Sequence, residues 1–302
     1  MQQEPGLYYS KMKVLFISSN ELPDFQNDMI FHGLRSLLGA DCVDVNHMWY
    51  MYSDTMKQYW NTKVPNNGKS YGNGFTLYGL LDNIDIDRTN ISEKIKNKYY
   101  DKIVYGSINR CQDYFNEVLD SYERNNIIII DGEDNTNINL NYFGKGIYFK
   151  RELIHDCIPG KLQPINFCIP AELILNTVPD KIKDYASIIP GDLSTYIYDN
   201  QIDYYTDYQN SYYGVTIKKG GWDCLRHYEI LMNGCIPYFP GLENCPKNTM
   251  TLFPKDLIQQ SNQTVIDTGL PDNYTHQVIQ LLEYTKKYLT TTYTAKIILS
   301  EK

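Results

Sequence analysis

The chain has 302 residues and 42% hydrophobic content, which is enough for one large α/β domain or two smaller ones with sizeable cores. Its formal net charge of −8 argues against a broad nucleic-acid surface, because binding to phosphate backbones needs clustered Lys and Arg. The seven cysteines are scattered and lack C-x-x-C spacing, so we expect reduced thiols and neither a disulfide framework nor a zinc site.

Two features of the sequence bear on the cellular location of the protein. No apolar run reaches the length of a transmembrane helix, and the first residues lack the pattern of a secretory signal peptide. We therefore expect a cytoplasmic protein without a transmembrane segment. Residues 1–12 are expected to form a disordered lead.

The N-terminal half has the pattern of a doubly wound α/β domain. Its predicted strands are residues 13–18, 42–45, 101–105, 126–131 and 148–151. Its predicted helices begin near Asp28 and span 112–124, and residues 53–80 are expected to form a long loop with a short helix at 55–60. The strand at 126–131 should be central, because its isoleucines are unbroken.

A concentration of prolines between residues 153 and 179 predicts a crossing between two domains. The expected domains are residues 13–175 and residues 176–302. In the second half, the predicted elements are a strand at 185–189, a loop and helix at 193–209, a strand at 212–218, a helix at 222–233, a strand at 235–239 and a helix at 273–289.

The stretch from residue 211 to 245 reads as strand, turn, helix and strand. At a helical period, one face of its helix is apolar and consists of Leu225, Tyr228, Leu231 and Met232. A second face is largely polar and consists of Trp222, Arg226, Glu229 and Asn233. Because a buried helix normally keeps its covered faces apolar, this second stripe is a candidate binding surface.

The turn before this helix is a candidate phosphate site. Gly220 and Gly221 would expose free N–H groups at a helix N-terminus, where the partial positive charge favours an anion. Arg226 and Glu229 could then contact a diphosphate and a sugar hydroxyl. The alternative interpretations are an ordinary glycine turn and a solvated salt bridge between residues three apart.

The segment Arg226-x-x-Glu229-x-x-x-x-Gly234-Cys235-Ile236-Pro237 resembles the corresponding segment of exostosin-like glycosyltransferases. It is similar, more loosely, to the Glu-bearing helix of many GT-B glycosyltransferases. The dense part of the resemblance covers residues 211–245. It implies an α/β fold of two Rossmann-like domains that face a cleft, with the acceptor on the N-terminal domain and the nucleotide sugar on the C-terminal domain.

The resemblance also implies an activity, which is transfer of a sugar from a UDP- or GDP-linked donor to a hydroxyl of a glycan or glycoprotein, with inversion. The chain lacks the membrane anchor and luminal cysteine pattern of animal exostosins, which favours a microbial or viral glycan. GT-B enzymes typically need no D-x-D metal, so neither a metal nor another cofactor is expected, although the turn from Asp131 to Asp134 resembles that motif.

Particular residues receive roles from the resemblance. The donor-binding set comprises Lys218, Gly220, Gly221, Trp222, Arg226 and Glu229, with Lys219 as the alternative to Lys218. Arg226 would also stabilise the leaving diphosphate, and Glu229 would bind the ribose. For Trp222, packing is the alternative to stacking on the base or sugar, and His227 is interpreted as a structural histidine.

The general base is predicted in the loop after the first strand, at Asp24 or Glu21. The alternatives for the base are Asp28, Asp131, Glu133 and Asp134. Asp28 is also well placed to cap the first helix.

Three other functions remain open. A nucleotide-sugar epimerase could use the same cradle, and a carbohydrate-binding protein could bind a sugar without catalysis. Modification of nucleobases in DNA is disfavoured by the acidic composition.

Overall fold

Two parallel β-sheets organise the part of the chain that the computed structural model describes, which comprises residues 12–21, 23–55, 76–268 and 272–301. The first sheet is formed by β1 (Val14–Ile17), β2 (Cys42–Val45), β3 (Lys102–Tyr105), β4 (Ile127–Asp131), β5 (Ile147–Lys150) and β6 (Leu162–Pro164). Its strand order is β2-β1-β3-β4-β5-β6. The second sheet is formed by β7 (Lys183–Tyr185), β8 (Ser211–Val215) and β9 (Ile236–Tyr238), in that order. The predicted α/β class is therefore confirmed.

Helices cover both sheets. The α-helices are α1 (Phe25–Leu38), α2 (Ile91–Lys96), α3 (Phe115–Ser121), α4 (Gln201–Gln209), α5 (Leu225–Met232), α6 (Lys255–Thr268), α7 (Tyr274–Tyr288) and α8 (Thr291–Ser300). Single turns of 3-10 helix lie at Gly39–Asp41, Trp49–Met51, Arg124–Asn126, Ala171–Leu173, Leu193–Thr195 and Leu242–Asn244. None of these described helices has both the length and the apolar character needed to cross a bilayer.

Strand β4 has the central position that its isoleucines predicted. It pairs with β3 on one side and β5 on the other. Ile128 and Ile130 belong to one apolar cluster, and Ile127 and Ile129 belong to another on the opposite face. Because side chains alternate across a strand, an unbroken apolar run fits a strand covered on both faces.

Helix α1 begins three residues before the predicted start, because Asp24 caps it. The Asp24 carboxylate accepts hydrogen bonds from the backbone N–H groups of Gln26 at 3.1 Å and Asn27 at 3.4 Å. The N-cap residue is therefore Asp24 and not Asp28, although the Asp28 carboxylate accepts the Asp24 N–H at 3.0 Å. Asp28 lies inside the first turn, where it is fully buried.

Several other boundaries differ from the predictions. Helix α5 begins at Leu225 and not at 222, strand β7 ends at Tyr185, and helix α3 is shorter than predicted. Strand β6 and helices α2, α6 and α8 were not predicted. The predicted lead at 1–12, apart from Met12, and the predicted helix at 55–60, apart from Thr55, lie outside the described residues.

The last helix packs on the first. Helix α8 contributes Ala295 and Ile298 to the apolar cluster that contains β1 and α1. Two segments of the chain run side by side between the cores of the two sheets, one through Ile169 and one leading into α8. The N–H of Ile169 donates to Leu289 O at 2.8 Å, and the N–H of Thr291 donates to Ile169 O at 2.9 Å. Residues 291–300 therefore complete the core of the first sheet.

The close approach of α1 to α8 yields a prediction at Gly33. A Cβ atom there would overlap the carbonyl oxygen of Thr291. Replacing a helical glycine by alanine normally stabilises by about 1 kcal/mol. We expect Gly33→Ala to destabilise instead by about 1–3 kcal/mol, because the two helices must separate. Urea denaturation measures the difference.

The control is Ser36→Ala, an exposed position on the same helix. Its effect should stay within about 0.5 kcal/mol. A Gly33→Ala protein as stable as the parent chain would contradict the close packing of the two helices.

Candidate functional site

A cavity of about 230 Å³ lies where the carboxyl ends of strands from both sheets converge. Its lining includes Phe25 from the segment after β1, Asp134 after β4, Phe167 after β6, and Lys219 and Arg226 after β8. Ligands in parallel sheets typically bind beyond the carboxyl ends of the strands. This cavity is therefore the candidate functional site.

Arg226 is the cation that faces this cavity with unused donors. Its Nη2 donates to the Tyr196 hydroxyl at 3.0 Å, and its guanidinium carbon lies 5.0 Å from the centroid of that ring. Its Nε and Nη1 atoms are buried and have no hydrogen-bond partner among the described residues. A buried donor without a partner is unfavourable by about 1–3 kcal/mol, so both groups are suited to a ligand oxygen.

Glu229 lines the same cavity but is already engaged. Its carboxylate accepts from the Tyr204 hydroxyl at 2.6 Å and from the Thr76 hydroxyl. Burial raises the pKa of Glu229, while those two hydroxyls and Arg226 act in the opposite direction. The carboxylate oxygens have further lone pairs, so a sugar hydroxyl could bind only in addition to these protein partners.

The apolar face predicted for α5 is confirmed. All four of its predicted members, Leu225, Tyr228, Leu231 and Met232, are buried in the core of the second sheet. This packing fixes the rotation of α5, and the rotation brings Arg226 and Glu229 to the cavity.

The glycine turn does not provide the predicted phosphate cradle. The backbone N–H groups of Trp222 and Asp223 donate to the carboxylate of Glu152 at 2.9 and 3.0 Å. A Cβ atom at Gly221 would overlap that carboxylate. The prediction that a diphosphate binds the N–H groups after the two glycines is therefore wrong for Trp222 and Asp223, because a carboxylate of the protein takes those two groups. Gly220 and Gly221 themselves line the cavity.

Arg151 joins the ends of the first sheet to this turn. It is 2% exposed, and it forms ion pairs with Asp134 and, at 3.2 Å, with Glu152. Its Nε donates to Gly132 O at 3.0 Å, and its Nη1 donates to Asp223 O at 2.5 Å. One guanidinium therefore connects the segment after β4, the end of β5 and the loop before α5.

Asp131 is occupied by a second buried pair. Its carboxylate lies 2.9 Å from Lys150 Nζ and accepts from the Tyr148 hydroxyl at 2.5 Å. Asp131 is 2% exposed and does not line the cavity, so it is poorly placed to act as a general base. In the described part of the chain, no three His, Cys, Asp or Glu side chains are grouped as metal ligands.

The two preferred base candidates lie in different places. Asp24 caps α1, and its Oδ2 lies 3.3 Å from Arg110 Nε, which also lies 3.7 Å from Glu133 Oε1. Phe25, the next residue, lines the cavity. Glu21 is exposed, does not line the cavity, and donates its backbone N–H to the Ser19 hydroxyl.

Lys218 and Trp222 lie outside the cavity lining. Lys218 Nζ is 5.5 Å from the centroid of the Trp222 ring. The Trp222 ring packs 6.3 Å from Phe239, centroid to centroid. These contacts favour the packing interpretation of Trp222, and Lys219 is the lysine that lines the cavity.

Sequence reasoning missed Arg110, Arg151, Glu152 and Tyr196. A usable signal existed for the first three, since Arg110 follows β3 and Arg151 and Glu152 follow β5 at the carboxyl edge of the sheet. The strand order β2-β1-β3 also reverses between β1 and β3, where Asp24 and Arg110 meet. No local pattern marked Tyr196.

His227 is structural, as predicted. Its Nε2 lies 2.9 Å from the carbonyl oxygen of Trp222, which can only accept, so the proton is on Nε2 and Nδ1 accepts from the Thr216 hydroxyl at 2.7 Å. Burial lowers the pKa of His227 to about 3. The imidazole is therefore neutral over the physiological range.

Comparison with known proteins identifies no relative: no protein-family model matches the chain, and no curated protein is significantly similar to it. The exostosin-like interpretation therefore depends on the residues of the 211–245 stretch and on the geometry around them.

The buried cation Arg151 yields a prediction about stability. We expect Arg151→Met to destabilise the protein by about 3–5 kcal/mol, because it leaves the buried Glu152 carboxylate without its cation. Denaturant unfolding of each variant measures the loss. Arg124→Met at an exposed position is the matched control.

The pair can be tested further by adding Glu152→Gln to Arg151→Met. The double change should cost less than the sum of the two single changes, since the residues are in contact. Strictly additive losses would contradict their coupling.

His227 yields a prediction about pH. Its folded pKa is lowered, so the unfolded chain binds the proton first as the pH falls below about 6.5. The stability of the parent chain relative to His227→Gln should therefore decrease by about 1.4 kcal/mol per pH unit between pH 6 and pH 4. Urea titrations of both proteins at several pH values measure this difference.

Comparing the stability of the parent chain with that of His227→Gln at each pH removes the contributions of other titrating groups. Burial raises the pKa of Asp223 to about 6, and protonation of that group at lower pH affects both proteins alike. A stability difference that stays constant from pH 7 to pH 4 would show that the His227 imidazole becomes protonated in the folded state.

Proposed function

We propose that the protein is a nucleotide-sugar-dependent glycosyltransferase whose donor diphosphate binds at Arg226 and Lys219. The observation that carries the proposal is that Arg226, which lines the cavity, has two buried donor nitrogens without a partner among the described residues. Lys219 lines the same cavity and adds a second cation. Guanidinium groups are suited to phosphate oxygens because they donate two parallel hydrogen bonds.

These cations would assist the chemical step. As the bond between the anomeric carbon and the diphosphate breaks, negative charge develops on the departing oxygen, and cations fixed beside it stabilise that charge. Transfer with inversion forms the new bond from the acceptor hydroxyl to the opposite face of the same carbon. The proton of that hydroxyl must then pass to a base.

Asp24 is the proposed base. It does not line the cavity itself, but it precedes the lining residue Phe25 and lies at the reversal of strand order in the first sheet. Its Oδ2 lies 3.3 Å from Arg110 Nε, and its Oδ1 caps α1. The acceptor, a glycan or glycoprotein hydroxyl, would then approach from the side of the first sheet. The donor would be bound by residues after β8, in a GT-B-like arrangement of two Rossmann-like domains facing a cleft.

The size of the cavity limits which part of the donor is enclosed. A volume of about 230 Å³ is below the range of about 300–1,000 Å³ that is usual for small-molecule sites. The diphosphate and the adjoining ribose would occupy the cavity, and the rest of the nucleotide would extend beyond it. Glu229 is the proposed ribose contact, through lone pairs that Tyr204 and Thr76 leave available.

One observation favours a second candidate, a carbohydrate-binding protein without catalysis. Glu152 takes the two N–H groups that the first interpretation assigned to the diphosphate. Fewer donors would then remain for a leaving group. Formation of a glycosylated product would exclude this candidate, and sugar binding without turnover would support it.

The test is thermal unfolding with UDP and GDP, followed by a transfer assay with UDP- and GDP-linked sugars. A nucleotide at about 100 times its Kd should stabilise the protein by about 2.7 kcal/mol. Arg226→Met should weaken that binding at least about tenfold, since charged hydrogen bonds contribute about 1.5–3 kcal/mol, and it should lower transfer at least as much.

Lys218→Met is the matched control, because Lys218 precedes the lining residue Lys219 but lies outside the cavity. It should leave the Kd within about twofold of the parent value. Equal nucleotide binding by Arg226→Met and the parent protein would refute the proposed site.

A further inference from the structure

Tyr196 occupies the position between the two cations of the proposed diphosphate site. Its hydroxyl accepts from Arg226 Nη2 at 3.0 Å and from Lys219 Nζ at 3.3 Å. Its ring centroid lies 5.0 Å from the Arg226 guanidinium carbon and 5.7 Å from Lys219 Nζ. One oxygen of the protein therefore bridges both cations, as an oxygen of a bound phosphate would.

The charge on this oxygen strengthens the comparison. Burial alone would raise the pKa of Tyr196, but the charges and hydrogen bonds of Arg226 and Lys219 outweigh it and lower that pKa. The two cations therefore stabilise negative charge at this oxygen, which is the property that a site for a phosphate oxygen requires.

The segment that carries Tyr196 is weakly attached. Within residues 191–200, which are described throughout, no residue is buried, and Leu193 and Ile197 are 82% and 59% exposed. Several hydrogen bonds of the segment are internal, such as those from Ser194 and Thr195 to Asp192. Its attachments to the rest of the protein include a hydrogen bond from Thr195 to Ile189 O and the packing of Tyr196 and Tyr198 against an apolar cluster. Segments with few buried contacts open locally at a small free-energy cost.

We propose that the Tyr196 hydroxyl takes the place of one diphosphate oxygen in the ligand-free protein and that a bound diphosphate displaces Tyr196 together with residues 191–200. This inference rests on the proposed function, because it describes how that same site is regulated. Displacement frees Arg226 Nη2 and Lys219 Nζ, so that they join the two unpartnered donors of Arg226.

In the alternative arrangement, the Tyr196 hydroxyl stays in place and donates to the ligand. The two arrangements predict opposite changes in ligand affinity when the hydroxyl is removed. A competing hydroxyl weakens ligand binding, so its loss strengthens binding. A contributing hydroxyl strengthens ligand binding, so its loss weakens it. The sign of the effect of Tyr196→Phe therefore separates the two arrangements.

The experiment is isothermal titration of inorganic pyrophosphate into the parent protein, Tyr196→Phe and Tyr198→Phe. Tyr196→Phe should lower the Kd about tenfold, which corresponds to about 1.4 kcal/mol. Tyr198 is the matched control from the same segment, because its ring packs 6.2 Å from Tyr204 and it shows no contact with either cation. Tyr198→Phe should stay within about twofold of the parent Kd.

Hydrogen exchange provides a second measurement that needs no substitution. Pyrophosphate should speed amide exchange in residues 191–200 of the parent protein, since the segment leaves its anchor. Unchanged or slower exchange in that segment, in pyrophosphate-saturated protein, would overturn the displacement.

The outcomes separate this inference from the proposed function. If the parent protein binds pyrophosphate and Tyr196→Phe binds it equally or more weakly, displacement is refuted while the diphosphate site stands. If neither protein binds pyrophosphate, the proposed diphosphate site fails, and displacement fails with it. If Tyr196→Phe binds pyrophosphate more tightly than the parent protein and Tyr198→Phe do, the result supports both the diphosphate site and the displacement of Tyr196.

Discussion

The burial of one guanidinium, that of Arg151, is the constraint on which the candidate site depends. Two carboxylates, from Asp134 and Glu152, approach it from different segments, and the Glu152 carboxylate also accepts two backbone N–H groups from the loop before α5. A buried charge is tolerated only when its partners and hydrogen bonds are complete. The geometry of the cavity wall therefore follows from satisfying this one cation.

The same requirement explains the contrast between the two sides of the cavity. Around Arg151 and Lys150, charges are paired within the protein, and Arg151 also donates to Asp223 O in the loop before α5. At Arg226, two donors are left without protein partners. Completed pairs are typical of structure, whereas incomplete ones at the carboxyl ends of parallel strands are typical of a binding site. This difference supports the proposal that Arg226, unlike Arg151, binds a ligand.

The sequence predicted what depends on local periodicity. The isoleucines of β4 and the apolar face of α5 lie as predicted, because burial of alternating or helical positions is decided within a few residues. The glycine turn was misread because its partner, Glu152, lies 70 residues from Trp222 in the chain. The placement of Tyr196 between two cations likewise depends on a loop whose path no local pattern specifies.

The paired crossings at Ile169 and Thr290 have a mechanical consequence. The two segments that connect the cores of the two sheets lie side by side and are hydrogen-bonded to each other. A single connector would permit twisting in any direction, but two bonded connectors favour bending about one axis. The hydrogen bonds between the two connectors therefore restrict relative rotation of the two sheets.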